Sequence, residues 1–207
     1  MVKTSLDYLL LGPAYPFRGG ISDTQHELAL ALKKDGKEVE LVTFTKLYPK
    51  LIFPGKTQFS NQFKPEALNI TQQIHAYNPL LWLKVVKYIC SKSPKVVVFR
   101  YYTPFLAFAY SWIAKNLPKS IKKVAIIDNW ISHEPRWFDK KLNLFFLKYL
   151  DSISCLSHYV ASQIRNDYKG PVWGGFHPIN SGLLPILNQK EARIKLNWET
   201  DVSYVLF

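Results

Sequence analysis

Hydrophobic and polar positions follow two rhythms along this chain. Short apolar runs recur at Ser5–Gly12 (SLDYLLLG), Glu38–Phe44 (EVELVTF), Lys95–Arg100 (KVVVFR), Lys123–Asp128 (KVAIID) and Ser152–Ser157 (SISCLS). Runs of this kind, without alternation, are the pattern of strands buried on both faces. Between them the apolar positions recur at helical spacing. Ile21–Lys34 puts Ile21, Leu28, Ala31 and Leu32 on one face, with Ser22 and Gln25 at capping-box spacing and Gly36 placed to end the helix. Pro79–Cys90 begins on a proline that suits a first turn, and Pro104–Asn116 is stopped by Pro118. Further helices are predicted at Asp139–Leu150 and His158–Asn166, and a short strand at Pro171–Trp173. Thr45–Tyr77, with Pro49, Pro54, Gly55 and Pro65, reads as loops with one short strand or helix.

This alternation predicts an α/β fold with a doubly wound, mostly parallel, Rossmann-like sheet. Such sheets bind ligands beyond the carboxyl ends of their strands, near the point where strand order reverses. The loops after Gly12, Phe44, Arg100, Asp128 and Ser157 are therefore the ones to inspect. Residues 1–176 form this domain. Residues 177–207 read as a Pro/Asn/Gly-rich linker, a short helix at Gln189–Leu196, and a run, VSYVLF, that looks like the first strand of a second domain.

Composition narrows the class. With 207 residues, 48% of them hydrophobic and 20% charged, the chain is long and apolar enough to bury a core. Its apolar stretch Phe105–Ala114 is about half of a membrane span of ~20 residues. The N-terminus carries Asp7 and lacks a small-residue cleavage site, so a signal peptide is not expected. Cys90 and Cys155 match no metal or redox spacing and read as free thiols in a reducing cytoplasm. The net charge of +12 is spread over scattered lysines. A diffuse basic surface suits phosphate or anionic lipid better than sequence-specific nucleic acid. A cytoplasmic protein, peripheral on the inner membrane face, is expected, with no nucleic-acid partner.

Two loops carry candidate chemistry. In GPAYPFRGGISD (Gly12–Asp23), Gly19 and Gly20 directly precede a helix, and Arg18 adds a cation. Free N–H groups at a helix start suit a phosphate or diphosphate, although a tight turn needing glycine for its geometry explains the same residues. The spaced glycines of a dinucleotide fingerprint and the Walker A lysine are absent. In DNWISHEPR (Asp128–Arg136), Asp128, Asn129, His133 and Glu134 crowd a strand's carboxyl end. They suit sugar hydroxyls, or acid–base chemistry by His133; equally, Asp128 and Asn129 could cap a turn while His133 and Glu134 form a local ion pair. His177, before Pro178, marks the linker, and the aromatic segment Leu142–Leu150 reads as core. No two-histidine, HExxH or paired-cysteine arrangement suggests a metal.

Together these segments resemble a family 4 retaining glycosyltransferase with the GT-B fold. GPAYPFRGGISDTQHELALALKKDGKEVELVTF is similar to the opening of that family, and DNWISHEPR to the loop motif of one bacterial branch. SISCLSHYVASQI is similar to its next strand and helix, and FHPI with EARIKLNW to its interdomain linker. The resemblance spans Leu6–Phe207. It implies an N-terminal, acceptor-side domain whose nucleotide-binding C-terminal partner domain is missing. It implies a nucleotide-diphosphate sugar as co-substrate, no metal or other cofactor, and a lipid-linked or polysaccharide acceptor. It assigns catalysis to His133 and Glu134, and substrate contacts to Arg18, Gly19, Gly20, Asp128 and Asn129. Two departures stand out: many members carry His where this chain has Asp128, and Ser132 replaces a proline. A domain of this kind alone is expected to be inactive. The competing reading is a basic, non-catalytic binding module or a truncated, degenerate gene product.

Overall fold

A computed structural model describes residues 6–49, 57–61, 63–131, 136–178 and 187–205. Its strands are β1 (Tyr8–Leu11), β2 (Val39–Lys46), β3 (Ile70–His75), β4 (Val96–Tyr101), β5 (Lys122–Ile127), β6 (Ser152–Cys155) and β7 (Val172–Gly174). They form one sheet in the order β3-β2-β1-β4-β5-β6-β7, and every pairing is parallel. The helices are α1 (Gly20–Lys34), α2 (Trp82–Lys92), α3 (Ala107–Asn116), α4 (Asp139–Leu147), α5 (His158–Arg165) and α6 (Gln189–Lys195). The doubly wound Rossmann-like architecture expected from the alternation is the observed one. Its strand order reverses between β1 and β4, which puts a crevice between the loops that follow them.

Side chains alternate across the sheet. Leu9 and Leu11 of β1, and Val97, Phe99 and Tyr101 of β4, join a large core whose helical members come from α2, α3, α4 and α5. Leu10 and Val98 face the other way, into a smaller cluster whose one fully buried helical member is Ala29 of α1. The large core is aromatic: Phe146 stacks on Tyr101 at 4.7 Å and meets Phe99 edge-on at 5.7 Å. Each such side chain contributes about 1.5–3 kcal/mol by leaving water.

Local signals account for the helix ends. Asn78 and Thr103 each accept a backbone N–H to start a 3₁₀ turn, at Pro79–Leu81 and Pro104–Leu106, that leads into α2 and α3. Gly36, at φ +73°, closes α1 in the left-handed conformation that glycine adopts without strain. Ser157 caps α5, and Asn188 with Glu191 forms a capping box on α6.

Several expectations differ from the structure. Ser22 and Gln25 do not cap α1, whose cap is Gly19. They lie inside the helix and form its buried stripe with Ala29, while Ala31 is exposed and Leu28 and Leu32 are only partly covered. The residues of this stripe lie over the β1 carboxyl end, where the Gln25 side chain packs against Gly12. Asp128 lies just beyond β5 rather than within it, and α4 ends at Leu147. Of the run VSYVLF, Val202–Val205 is exposed and in no strand, and Leu206 and Phe207 lie outside the described residues.

Candidate functional site

The loop after β1 is held at many points. Gly12 donates to Val42 O at 3.2 Å, and Ala14 N–H donates to Thr43 Oγ1 at 3.0 Å. Phe17 is buried against Phe44 and Phe59, and Arg18 N–H donates to Gln58 O at 3.1 Å. Gly12 is needed for space: a Cβ there would lie 2.6 Å from Arg100 Cβ and 2.9 Å from Gln25 Nε2. Gly19 is needed for geometry, at φ +112°, a region that side chains with a Cβ rarely enter. A Cβ at Gly20 would meet open space.

These constraints aim the start of α1 into a cleft of about 300 Å³, lined by Phe17, Arg18, Gly19, Gly20, Ser22 and Tyr48 among others. The first intrahelical bond runs from Asp23 N–H to Gly19 O, so the preceding turn presents its N–H groups outward. Ser22 Oγ, in a residue only 1% exposed, has no hydrogen-bond partner among the described residues, and neither has Gln58 Oε1. A buried hydroxyl without a partner beside a helix N-terminus and an arginine suits a phosphate oxygen. Arg18, Gly19 and Gly20 are thus brought together, with Ser22 added to them.

Beneath this cleft lies a feature that reading the sequence missed. Arg100, buried at the end of β4, donates through Nε and Nη2 to the two carboxylate oxygens of Asp128 at 2.7 and 2.6 Å. Its Nη2 also donates to Thr24 Oγ1 of α1 at 3.0 Å. One guanidinium therefore ties β4, the β5 loop and α1 together at the strand-order reversal. Asp128 is held in this clasp, whereas Asn129 next to it is exposed at the edge of the sheet. Trp130 then turns back into the core, where its carbonyl accepts from Asn143 Nδ2 at 2.8 Å. His133 and Glu134 lie outside the described residues. His177 is exposed beyond β7.

A second cavity, of about 550 Å³, opens on the same carboxyl edge. Its walls include Trp82, Phe105, Phe108, Phe138 and Leu142, with Arg136 on its border. Tyr48 lines both cavities, and its hydroxyl donates to that of Tyr102 at 3.3 Å. Among the described residues no group of three His, Cys, Asp or Glu side chains is placed to hold a metal, and no helix is long and apolar enough to cross a membrane.

The loop also carries a titratable strut. Tyr15 N–H donates to His26 Nε2 at 3.0 Å, which requires that nitrogen to be unprotonated. Burial pushes His26 below the ordinary histidine value, against the smaller opposing pull of Asp23. A base with a depressed folded-state pKa stabilises the fold fully above the unfolded value of 6.5 and loses that contribution as pH falls through it. Acidification from about pH 7.5 to about 5.5 should lower the thermal midpoint more in the wild type than in His26→Gln, whose amide oxygen can accept the same bond without titrating. Parallel curves for the two proteins would rule the strut out as the cause.

No protein-family profile matches the chain, and no curated protein is significantly similar to it in sequence. Solved structures do share its fold. A sucrose-phosphate synthase from Thermosynechococcus elongatus matches with a TM-score of 0.64 at 14% identity, over 94% of this chain and 53% of that one. A protein described as a UDP-N-acetylglucosamine 2-epimerase from Listeria monocytogenes matches with a TM-score of 0.52 at 11% identity, over 82% and 44%. An alpha-glucosyltransferase in complex with UDP and a 13-mer DNA matches with a TM-score of 0.50 at 14% identity, over 82% and 40%. The chain spans about half the length of these structures or less. At such identities the likeness is one of fold, the GT-B Rossmann-like domain.

Proposed function

We propose that this chain is the acceptor-side part of a retaining glycosyltransferase that moves a sugar from a nucleotide-diphosphate sugar to a lipid-linked or saccharide acceptor. The observation that carries this reading is the cleft at the start of α1, where outward N–H groups, Arg18 and the unpartnered Ser22 hydroxyl converge at the strand-order reversal. Fold neighbours described as holding UDP or as acting on UDP-N-acetylglucosamine support the same ligand class.

In this reading the α1 N-terminus and Arg18 face the donor diphosphate, whose negative charge grows as its bond to the sugar breaks. Fixed donors aimed at that charge lower the barrier without reorganising. The nucleotide and most of the sugar are held by a second domain that begins within residues 177–207. The Arg100–Asp128 clasp keeps the cleft floor rigid, and Asn129, His133 and Glu134 border the reacting sugar. The reaction needs no metal or other cofactor, and the protein works in the cytoplasm on the inner membrane face.

Pyrophosphate and UDP titrated into the ¹⁵N-labelled chain should both shift the amides of Gly19, Gly20, Ile21 and Ser22, with dissociation constants that are roughly millimolar because only part of the donor site is present. Uridine should leave these amides unmoved. Saturating pyrophosphate without a response at the four positions would overturn the reading.

A further inference from the structure

We infer that the 550 Å³ cavity is the acceptor site and that its ligand is an amphiphile, a hydrocarbon chain carrying a phosphate head, rather than a free saccharide. This rests on the glycosyltransferase reading above and selects one of its two acceptor classes.

The walls decide between the classes. A saccharide needs donors and acceptors in pairs. Most of the polar side chains on these walls are engaged with the protein itself; among the described residues the exceptions are the Tyr77 hydroxyl and the Arg136 guanidinium. Thr103 Oγ1 accepts from Phe105 N–H, Tyr48 donates to the Tyr102 hydroxyl, and Asp139 Oδ2 accepts from Arg136 N–H at 3.0 Å. Two isolated polar groups do not supply the paired contacts of a sugar ring, and the larger part of the lining is the faces of Trp82, Phe105, Phe108, Phe138 and Leu142, which favour a flexible apolar chain.

The topology also concentrates apolar side chains around the mouth. The helices α2, α3 and α4 each follow a parallel strand, so their first turns all lie at the carboxyl edge of the sheet. Leu80 before α2, Phe108 in the first turn of α3 and Trp137 before α4 are exposed there, at 85, 58 and 83%. Cations accompany them. Arg136 borders the cavity and Lys141 Nζ lies over the Trp137 ring at 5.7 Å, whereas Lys140 beside it is paired with Asp167 at 3.5 Å. An apolar channel with a cationic border, in a chain of net charge +12, complements a hydrocarbon with an anionic head. The wall shared at Tyr48 joins this channel to the diphosphate cleft, so that acceptor and donor would meet.

Isothermal titration of the chain with farnesyl phosphate, farnesol and maltotriose tests the inference, each held below any aggregation threshold. Farnesyl phosphate should bind at one site, farnesol about tenfold more weakly for want of the charged contact, and maltotriose not detectably. Phe108→Asp, at an exposed position that leaves the core intact, should weaken farnesyl phosphate at least tenfold. Arg136→Gln should weaken farnesyl phosphate about tenfold and leave farnesol unchanged. Pyrophosphate is titrated into the same samples and should be unaffected by either variant. Loss of pyrophosphate binding alone would count against the glycosyltransferase reading while the channel stands. Maltotriose binding that is lost in Phe108→Asp would overturn the amphiphile and make the site saccharide-binding. Adsorption to phosphatidylglycerol–phosphatidylcholine vesicles without one-site binding of farnesyl phosphate would overturn it in favour of a membrane-docking surface.

Discussion

Arg100→Met is expected to destabilise the chain by about 3–5 kcal/mol, because it leaves the Asp128 carboxylate largely buried without its partner. The native pair is bidentate, at 2.7 and 2.6 Å, and the arginine is only 2% exposed. Thr24 loses its contact in the same step, so α1 should loosen along with the sheet edge. Removing both charges, as Arg100→Met with Asp128→Leu, removes the desolvation cost together with the attraction. The double variant should therefore be more stable than either single variant. Urea unfolding of the four proteins measures this as shifts in midpoint at constant slope. If Arg100→Met moves the midpoint no further than a surface substitution would, the clasp is not what holds the strand-order reversal together.

The other large effect is expected in catalysis. In an enzyme that pairs this chain with a donor domain, His133→Ala should lower kcat/KM by ~10²-fold or more if the imidazole transfers a proton or stabilises developing charge. Loss of one ordinary neutral hydrogen bond would cost about 1 kcal/mol, or roughly fivefold. Thermal unfolding in parallel separates the two roles. Wild-type kinetics with a lowered midpoint would show that His133 and Glu134 support the loop and take no part in the reaction.

The strands were legible because parallel strands buried on both faces read as mainly apolar runs, as β1, β4 and β5 do, with buried Glu40 and Thr43 the interruptions in β2. The glycine loop was legible for a similar reason, since chemistry confines Gly19 to one residue type. The rotation of α1 was hidden. Periodicity favours the leucines as the inward face, whereas the fully buried stripe is Ser22, Gln25 and Ala29, with Leu28 and Leu32 packed only at its side. Arg100 gave a faint signal, an arginine inside VVVFRY and an aspartate at the end of the neighbouring strand. Pairing the two required knowing that β4 and β5 are adjacent. The 550 Å³ cavity was obscured because the segment Leu142–Leu150 serves two purposes. Phe146 and Leu147 fill the core, while Leu142 turns to the cavity, and one apolar stretch does not reveal that division.

The short, partly polar stripe of α1 has a consequence for motion. Its seat on the sheet uses Ser22, Gln25 and Ala29, and neither polar atom of the Gln25 amide is hydrogen-bonded among the described residues. Beyond the Thr24 and His26 contacts and the partly buried Leu28 and Leu32, few interactions hold this helix, so its amides are expected to exchange with solvent through local opening before those of the aromatic core. A diphosphate seated on its first turn would then do more than occupy a cleft. By pinning Ser22 it would narrow the motion left to the first turn of the helix, and part of the intrinsic binding energy would be spent as lost helix entropy.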